Sequence, residues 1–128
     1  MISIIIPALN EAQNLAATLR RIQQMRRRGQ QVILVDGGSS DATTGIAEPR
    51  VDRVLSTPAG RAVQMNAGAA IASGDLLWFL HADTLVSPDT DKLLLKALSN
   101  SEKEWGRFNI RLSGDAPALR LIERMMNW

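Results

Sequence analysis

Three short segments carry residue types able to hold a phosphorylated ligand and a hard cation, and each follows an apolar run. In the clearest, Gly74 and Asp75 open a turn, Leu76, Leu77, Trp78, Phe79 and Leu80 follow, and hydrophobicity stops at His81 and Asp83. A carboxylate at Asp83 can ligate Mg²⁺ or Mn²⁺, and such a cation can hold phosphate oxygens. His81 is the only histidine; it is either structural or a ligand contact two residues before Asp83. The second segment runs Asp36-Gly37-Gly38-Ser39-Ser40-Asp41 after four apolar residues. Asp36 can accept a hydrogen bond from a base or a ribose hydroxyl, while the glycines let backbone approach the ligand. Asp41 is either a further site carboxylate or the cap of a short helix that begins at Ala42. The third segment sets Asn10 and Glu11 just beyond Ile2, Ile4, Ile5, Ile6 and Pro7. Arg61, Gln64 and Asn66 open a stretch of small residues. They are either the solvent side of a helix or, for Arg61, a guanidinium beside a helix N-terminus facing phosphate. No G-x-G-x-x-G fingerprint and no Walker sequence occurs, which excludes dinucleotide and P-loop readings.

Positioning these groups requires strands that end where the polar residues begin. Continuous apolar runs bounded by turn residues suit strands buried on both faces, as in a parallel sheet. Strands are expected at 2–6, 32–35, 51–55 and 76–80, with a longer one over 105–112. Helices are expected between them. Ala12, Leu15, Leu19, Ile22 and Met25 recur at helical spacing, with Asn10 as cap, Glu11 in the first turn and Gly29 as the C-terminal stop. A short helix covers 42–47. An alanine-rich helix covers 61–72, and Gly68 within it lets it lie close to a sheet, offsetting a propensity cost of ~1 kcal/mol. Ser87 and Pro88 start a helix that buries Leu93, Leu94, Ala97 and Leu98. A last helix, 116–128, sets Leu119, Ile122 and Met126 on one face. Alternating strands and helices imply a parallel α/β sheet with right-handed crossovers and helices on both faces. In such a sheet Asn10, Glu11, Asp36, His81 and Asp83 converge on the carboxyl edge, where ligands bind.

Composition narrows the function classes. The chain has 128 residues, 45% of them hydrophobic and 22% charged, enough for a single domain with its own core. It has no cysteine, hence no disulfide framework or thiolate metal site, which fits a reducing cytoplasm. The run 2–9 is too short to span a membrane and lacks the charged flank of a signal peptide. Arg20, Arg21, Arg26, Arg27 and Arg28 form the one dense basic cluster. They read as a solvated helix face and C-terminus rather than a nucleic-acid site, since no stacking aromatics accompany them. Membrane contact is expected to be peripheral at most.

Taken together, the quoted segments resemble family 2 glycosyltransferases of the GT-A fold. The match rests on Ser3-Ile4-Ile5-Ile6-Pro7-Ala8-Leu9-Asn10-Glu11, on Val35-Asp36-Gly37-Gly38-Ser39-Ser40-Asp41, and on Gly60-Arg61-Ala62-Val63-Gln64-Met65-Asn66-Ala67-Gly68. It is completed by Gly74-Asp75 through His81-Ala82-Asp83-Thr84. The last two segments look most like the small bacterial subgroup described as selenodomain- or arsenosugar-associated transferases. The resemblance implies a Rossmann-like, mostly parallel sheet and transfer of a sugar from a nucleoside-diphosphate sugar to an acceptor, with inversion and with a divalent cation. It implies that Pro7, Leu9 and Glu11 line the nucleoside pocket, that Asp36 and Gly38 meet the base side, and that Arg61 lies near the nucleotide. His81-Ala82-Asp83 occupies the metal-binding D-x-D position with histidine first. Asp83 is therefore the metal ligand, and His81 touches sugar or diphosphate. Family members continue for about another hundred residues, which normally hold the acceptor pocket and an acidic base. Glu102, Glu104 and Glu123 do not fit that motif, so no base is assigned and residues 1–128 read as the donor half. The alternative is a non-catalytic nucleotide-binding or assembly module. Its last helix would then pair with a second copy through Leu119, Ile122, Met125, Met126 and Trp128.

Overall fold

A computed structural model describes residues 1–109, 113 and 115–127. The backbone divides into two compact units, Met1–Leu95 and Lys96–Trp128. The first contains β1 (Ile2–Ala8), α1 (Ala12–Arg27), β2 (Gln31–Asp36), α2 (Thr43–Ala47), a 3₁₀ turn (Glu48–Arg50), β3 (Arg53–Ser56), α3 (Arg61–Ile71) and β4 (Leu76–Phe79). α4 (Thr90–Ser99) crosses the boundary, and α5 (Pro117–Met126) lies in the second unit.

The four strands form one sheet in the order β3-β2-β1-β4, and every pairing is parallel. The α/β architecture implied by the alternation is therefore the observed one. The register sets Ile4 opposite Val32 on one side and opposite Trp78 on the other. Alternate side chains divide between the faces, as a pleat requires. Ile2, Ile4, Ile6, Val32, Leu34 and Trp78 meet Leu15, Leu19, Ile22 and Met25 of α1. Ile5, Ile33 and Val35 meet Ala67, Ala69 and Ile71 of α3. α3 comes so close that a Cβ on Gly68 would stand 2.5 Å from Ile5 Cγ2. The small-residue stripe is thus what lets this helix reach the sheet.

Several boundaries differ from expectation. α4 begins at Thr90 rather than at Ser87, because Ser87 O accepts the Thr90 N–H at 3.1 Å in a preceding turn. Of its expected apolar side, Leu94 is half-buried and packs against the core and Leu98 is half-buried, while Leu93 is 60% exposed and Ala97 is exposed; its fully covered residues are Thr90 and Asp91. A polar anchor also holds its first turn: Asp91 accepts from Arg28 Nη2 at 2.6 Å. The strand expected over 105–112 does not form over its described part, 105–109, which is exposed and takes no strand conformation; its remainder lies outside the described residues. The helix expected over 116–128 forms as α5, with Met125 exposed and Leu119 half-buried. Trp128 and the side chains of Ile122 and Met126 lie outside the described residues. The basic cluster of α1 is a helix end, as its composition suggested. Arg26 pairs with Asp52 at 2.9 Å and Arg28 with Asp91.

Candidate functional site

The strand order reverses beside β1. The chain proceeds from β1 through β2 to β3 on one side, then returns to place β4 on the other. A ligand crevice forms at such a switch point, outside the carboxyl ends of the strands. Leu9, Asn10 and Glu11 follow β1 on one bank, and His81, Ala82 and Asp83 follow β4 on the other. Asp36 ends β2 on the far side of β1. The polar segments singled out from the sequence thus share one sheet edge.

The loop after β2 is built on Asp36. Its carboxylate, 4% exposed, accepts the Gly38 N–H at 3.1 Å and the Ser39 N–H at 3.0 Å, as well as the Ser39 hydroxyl. Gly38 takes a φ of +94°, a conformation that side chains with a Cβ seldom adopt. Three accepted bonds fill three of the roughly four lone-pair sites of a carboxylate. One acceptor position of Oδ1 is left for a ligand hydroxyl or base.

This loop is stitched to the one after β1. The Asn10 N–H donates to Ser39 Oγ at 2.9 Å, and Asn10 Oδ1 accepts from the Ser40 N–H at 2.8 Å. The Glu11 N–H donates to Thr43 Oγ1 at 3.0 Å, and the Ala12 N–H donates to Asp41 Oδ2 at 3.2 Å. Asn10 therefore does not cap α1. It sits at φ +53° and ties the two loops, while the donor at the start of α1 is met from across the sheet by Asp41. Asp41 also accepts from the Thr43 N–H at 3.0 Å and from the Thr43 hydroxyl, so it holds the start of α2 as well. The Thr43 hydroxyl bond, opposed by burial and aided by backbone donors, keeps the Asp41 carboxyl below its usual range. Pro7 is half-buried in β1 opposite Val35, and Leu9 is exposed beyond it.

On the other bank the ladder runs one residue past β4, with the Leu80 N–H donating to Ile5 O at 2.9 Å. Ala82 is buried, and its carbonyl accepts from the Thr18 hydroxyl at 2.7 Å. The Thr84 N–H closes a turn on His81 O at 3.1 Å. Alternation about the buried Ala82 leaves His81 and Asp83 exposed. Among the described residues no three His, Asp or Glu side chains gather into a metal cage. A lone exposed carboxylate fits the other mode of binding Mg²⁺ or Mn²⁺, in which one or two carboxylates share the ion with substrate phosphates and water.

Arg61 is the first residue of α3 and is exposed, so its guanidinium is available to an anion at that edge. Gln64 is not on the solvent side, as its polarity suggests. It is 4% exposed, and its amide donates to Ala8 O at 2.9 Å and Val35 O at 2.8 Å. It thereby joins the carboxyl ends of β1 and β2 to α3. The buried polar contacts of Thr18 were not foreseen from the sequence, and Gln64 was singled out there but with the opposite exposure. The signal available for Thr18 was a hydroxyl inside an apolar helical stripe.

Comparison with known proteins gives a consistent result. The family model described as "Glycosyl transferase family 2" matches residues 3–123. An uncharacterised glycosyltransferase of Mycobacterium tuberculosis is 38% identical over 122 residues, which is 88% of this chain and 47% of that protein. A PGL/p-HBAD biosynthesis glycosyltransferase of Mycobacterium bovis is 41% identical over 98 residues, 70% of this chain and 38% of that protein. The chain thus spans about half the length of the curated relatives it matches, or less. Among solved structures, glucosyl-3-phosphoglycerate synthase from M. tuberculosis in complex with Mn²⁺, UDP and phosphoglyceric acid superposes with a TM-score of 0.70. It is 26% identical, over 80% of this chain and 40% of that one. S. aureus TarS in complex with UDP-GlcNAc shares the fold at a TM-score of 0.68 and 20% identity, over 77% of this chain and 31% of that one.

Proposed function

The chain belongs to glycosyl transferase family 2, and from that premise we propose that its β1–β4 crevice binds a nucleoside-diphosphate sugar. Asp83 would hold the divalent cation that accompanies such a donor. The observation that supports this reading is the reversal of strand order beside β1, with 9–11 following β1 and 81–83 following its neighbour β4. UDP and Mn²⁺ in the structure of a 26% identical neighbour support the choice of ligands. Pro7, Leu9 and Glu11 line the nucleoside side. Asp36 accepts from the base or ribose with its remaining acceptor position, over a backbone that Gly38 leaves uncovered. Arg61 and His81 approach the diphosphate or sugar.

In the transfer, an acceptor hydroxyl oxygen bonds to the anomeric carbon and the bond from that carbon to the diphosphate oxygen breaks. The diphosphate leaves with the electron pair, the acceptor proton passes to a base, and attack opposite the leaving group inverts the centre. The cation that Asp83 would hold would supply neutralisation of charge on the leaving diphosphate without proton transfer. Among the described residues no carboxylate is assigned as the base: Glu102 and Glu104 are exposed in the second unit, and Glu123 accepts from Arg120 Nη1 at 2.5 Å. Donor recognition is therefore the role we give to residues 1–128.

Calorimetric titration of UDP, then GDP, with and without Mn²⁺ tests the reading. The expected result is micromolar, Mn²⁺-dependent binding of one nucleotide. In Asp83→Ala the metal-dependent gain falls at least about tenfold, some 1.4 kcal/mol of binding, while the circular dichroism spectrum is unchanged. Equal nucleotide affinity of Asp83→Ala and the parent chain rejects the assigned role.

A further inference from the structure

The stripe by which α1 meets the sheet is interrupted by one hydroxyl. Leu15, Thr18, Leu19, Ile22 and Met25 are all fully buried there. Thr18 has a single hydroxyl proton and two carbonyls in reach, Ala82 O at 2.7 Å and Asn14 O at 3.5 Å. The shorter contact, from residues 64 positions apart in sequence, is the one of good geometry. Its acceptor belongs to a residue that is itself 3% exposed, inside the same apolar cluster. A carbonyl in that setting without a donor is costly, so the hydroxyl decides where it points.

The peptide unit that begins with the Ala82 carbonyl ends with the N and Cα of Asp83, and it is planar. Fixing the carbonyl oxygen from α1 therefore fixes the plane from which the Asp83 side chain departs. The same plane follows His81, whose own carbonyl is held by the Thr84 N–H at 3.1 Å. We propose that Thr18 is a positioning residue for the cation site: its hydroxyl orients the Ala82–Asp83 peptide so that the Asp83 carboxylate faces the donor diphosphate. The proposal rests on the reading of Asp83 given above. Thr18 itself touches neither cation nor nucleotide.

The test compares the parent chain, Thr18→Val, Thr18→Ser and Asp83→Ala by titrating Mn²⁺ at fixed UDP and by titrating UDP without metal. Valine keeps the branched shape and deletes the hydroxyl; serine keeps the hydroxyl. Thr18→Val is expected to raise the Mn²⁺ concentration for half-saturation about tenfold, the size of one net hydrogen bond. It should leave metal-free UDP affinity at the parent value, and Thr18→Ser should restore the parent Mn²⁺ response. A loss of stability alone would not separate the metal response from metal-free binding in this way. Should Thr18→Val fail to give a folded circular dichroism spectrum, Thr18→Ala deletes the same hydroxyl and is held to the same expectation. A parent-like Mn²⁺ response in the hydroxyl-deleted variant, with Asp83→Ala impaired, overturns the positioning role alone. An equal loss in Thr18→Ser does so too. Undiminished metal dependence in Asp83→Ala, or none in the parent chain, overturns the cation reading and this inference with it.

Discussion

Gln64 directs both amide hydrogens at backbone carbonyls of neighbouring strands, Ala8 O and Val35 O, and its own carbonyl oxygen lies 3.4 Å from the Gly60 N–H. Those strands lead directly into the Leu9–Glu11 and Asp36–Ser39 segments, so one buried carboxamide spaces two walls of the proposed nucleoside pocket. Gln64→Leu is expected to lower stability by about 2 kcal/mol, because buried polar groups lose their partners while the volume is nearly kept. The midpoint of urea unfolding checks this, and an unchanged midpoint rejects the bolt role. Nothing in the sequence announced it. A glutamine near the start of a helix beside Arg61 and Asn66 reads as solvent-facing, and only the approach of two strand ends from elsewhere in the chain buries it. The placement of Asp36 was legible for the opposite reason. A carboxylate that directly ends an apolar run must stand at a strand end, whatever the strand's neighbours are.

The helix that carries Gln64 makes its approach through Gly68, where a Cβ would meet Ile5 Cγ2 at 2.5 Å and Val35 Cγ2 at 3.1 Å. Overpacking of this kind costs about 1–3 kcal/mol. Gly68→Ala is therefore expected to lower the thermal midpoint despite the better helix propensity of alanine. Gly45 in α2 supplies the contrast, since a Cβ there meets nothing within 4 Å. Gly45→Ala is expected to hold or raise the midpoint, by up to about 1 kcal/mol of propensity. Equal effects of the two substitutions would show that propensity, not approach to the sheet, governs both. At this scale β1, β2, α1 and α3 were readable, because each has a strong period or an unbroken apolar run. α4 was not readable in detail. Its leucines satisfy a helical pattern and Leu94 packs against the core, yet Asp91 and Thr90 are its most covered residues, and periodicity weighs only apolar residues. The strand expected over 105–112 rested on a partial alternation, and its described part, 105–109, forms no strand.

Strand order was the part of the molecule that the sequence could not disclose, since apolar runs identify strands without naming their neighbours. That order gives the sheet of the Met1–Leu95 unit two unlike ends. The carboxyl end is left to loops with exposed polar groups, and the amino end carries a set of interlocking polar contacts. There Ser3 Oγ donates to Gln31 Oε1 at 2.6 Å and accepts the Gly74 N–H at 2.8 Å. Asp91 receives Arg28 Nε at 3.0 Å, Arg28 Nη2 at 2.6 Å and Gln30 Nε2 at 3.2 Å. Burial pushes the Asp91 carboxyl up, but the hydrogen bonds from Arg28 and Gln30 outweigh it, and its pKa lies below the ordinary 3.8. Arg28 moves in the complementary direction, raised chiefly by its bond to Asp91. A carboxyl lowered in the folded state contributes stability that is complete above its unfolded value and is lost as pH falls through its folded value. Unfolding midpoints should therefore be flat in this respect near neutrality and should drop below about pH 4. Asp91→Asn keeps the size of the side chain but removes the charge that Arg28 faces. That variant is expected to be less stable at pH 7 and to show a shallower acid decline. A decline as steep as the parent's would assign the acid sensitivity to other carboxylates, Asp41 first, since its pKa is lowered as well. Because this clamp joins α4 to the end of the sheet remote from the crevice, Asp91→Asn measured at neutral pH below its unfolding midpoint should leave UDP affinity at the parent value. The separation of a stability end from a binding end then becomes measurable in one protein.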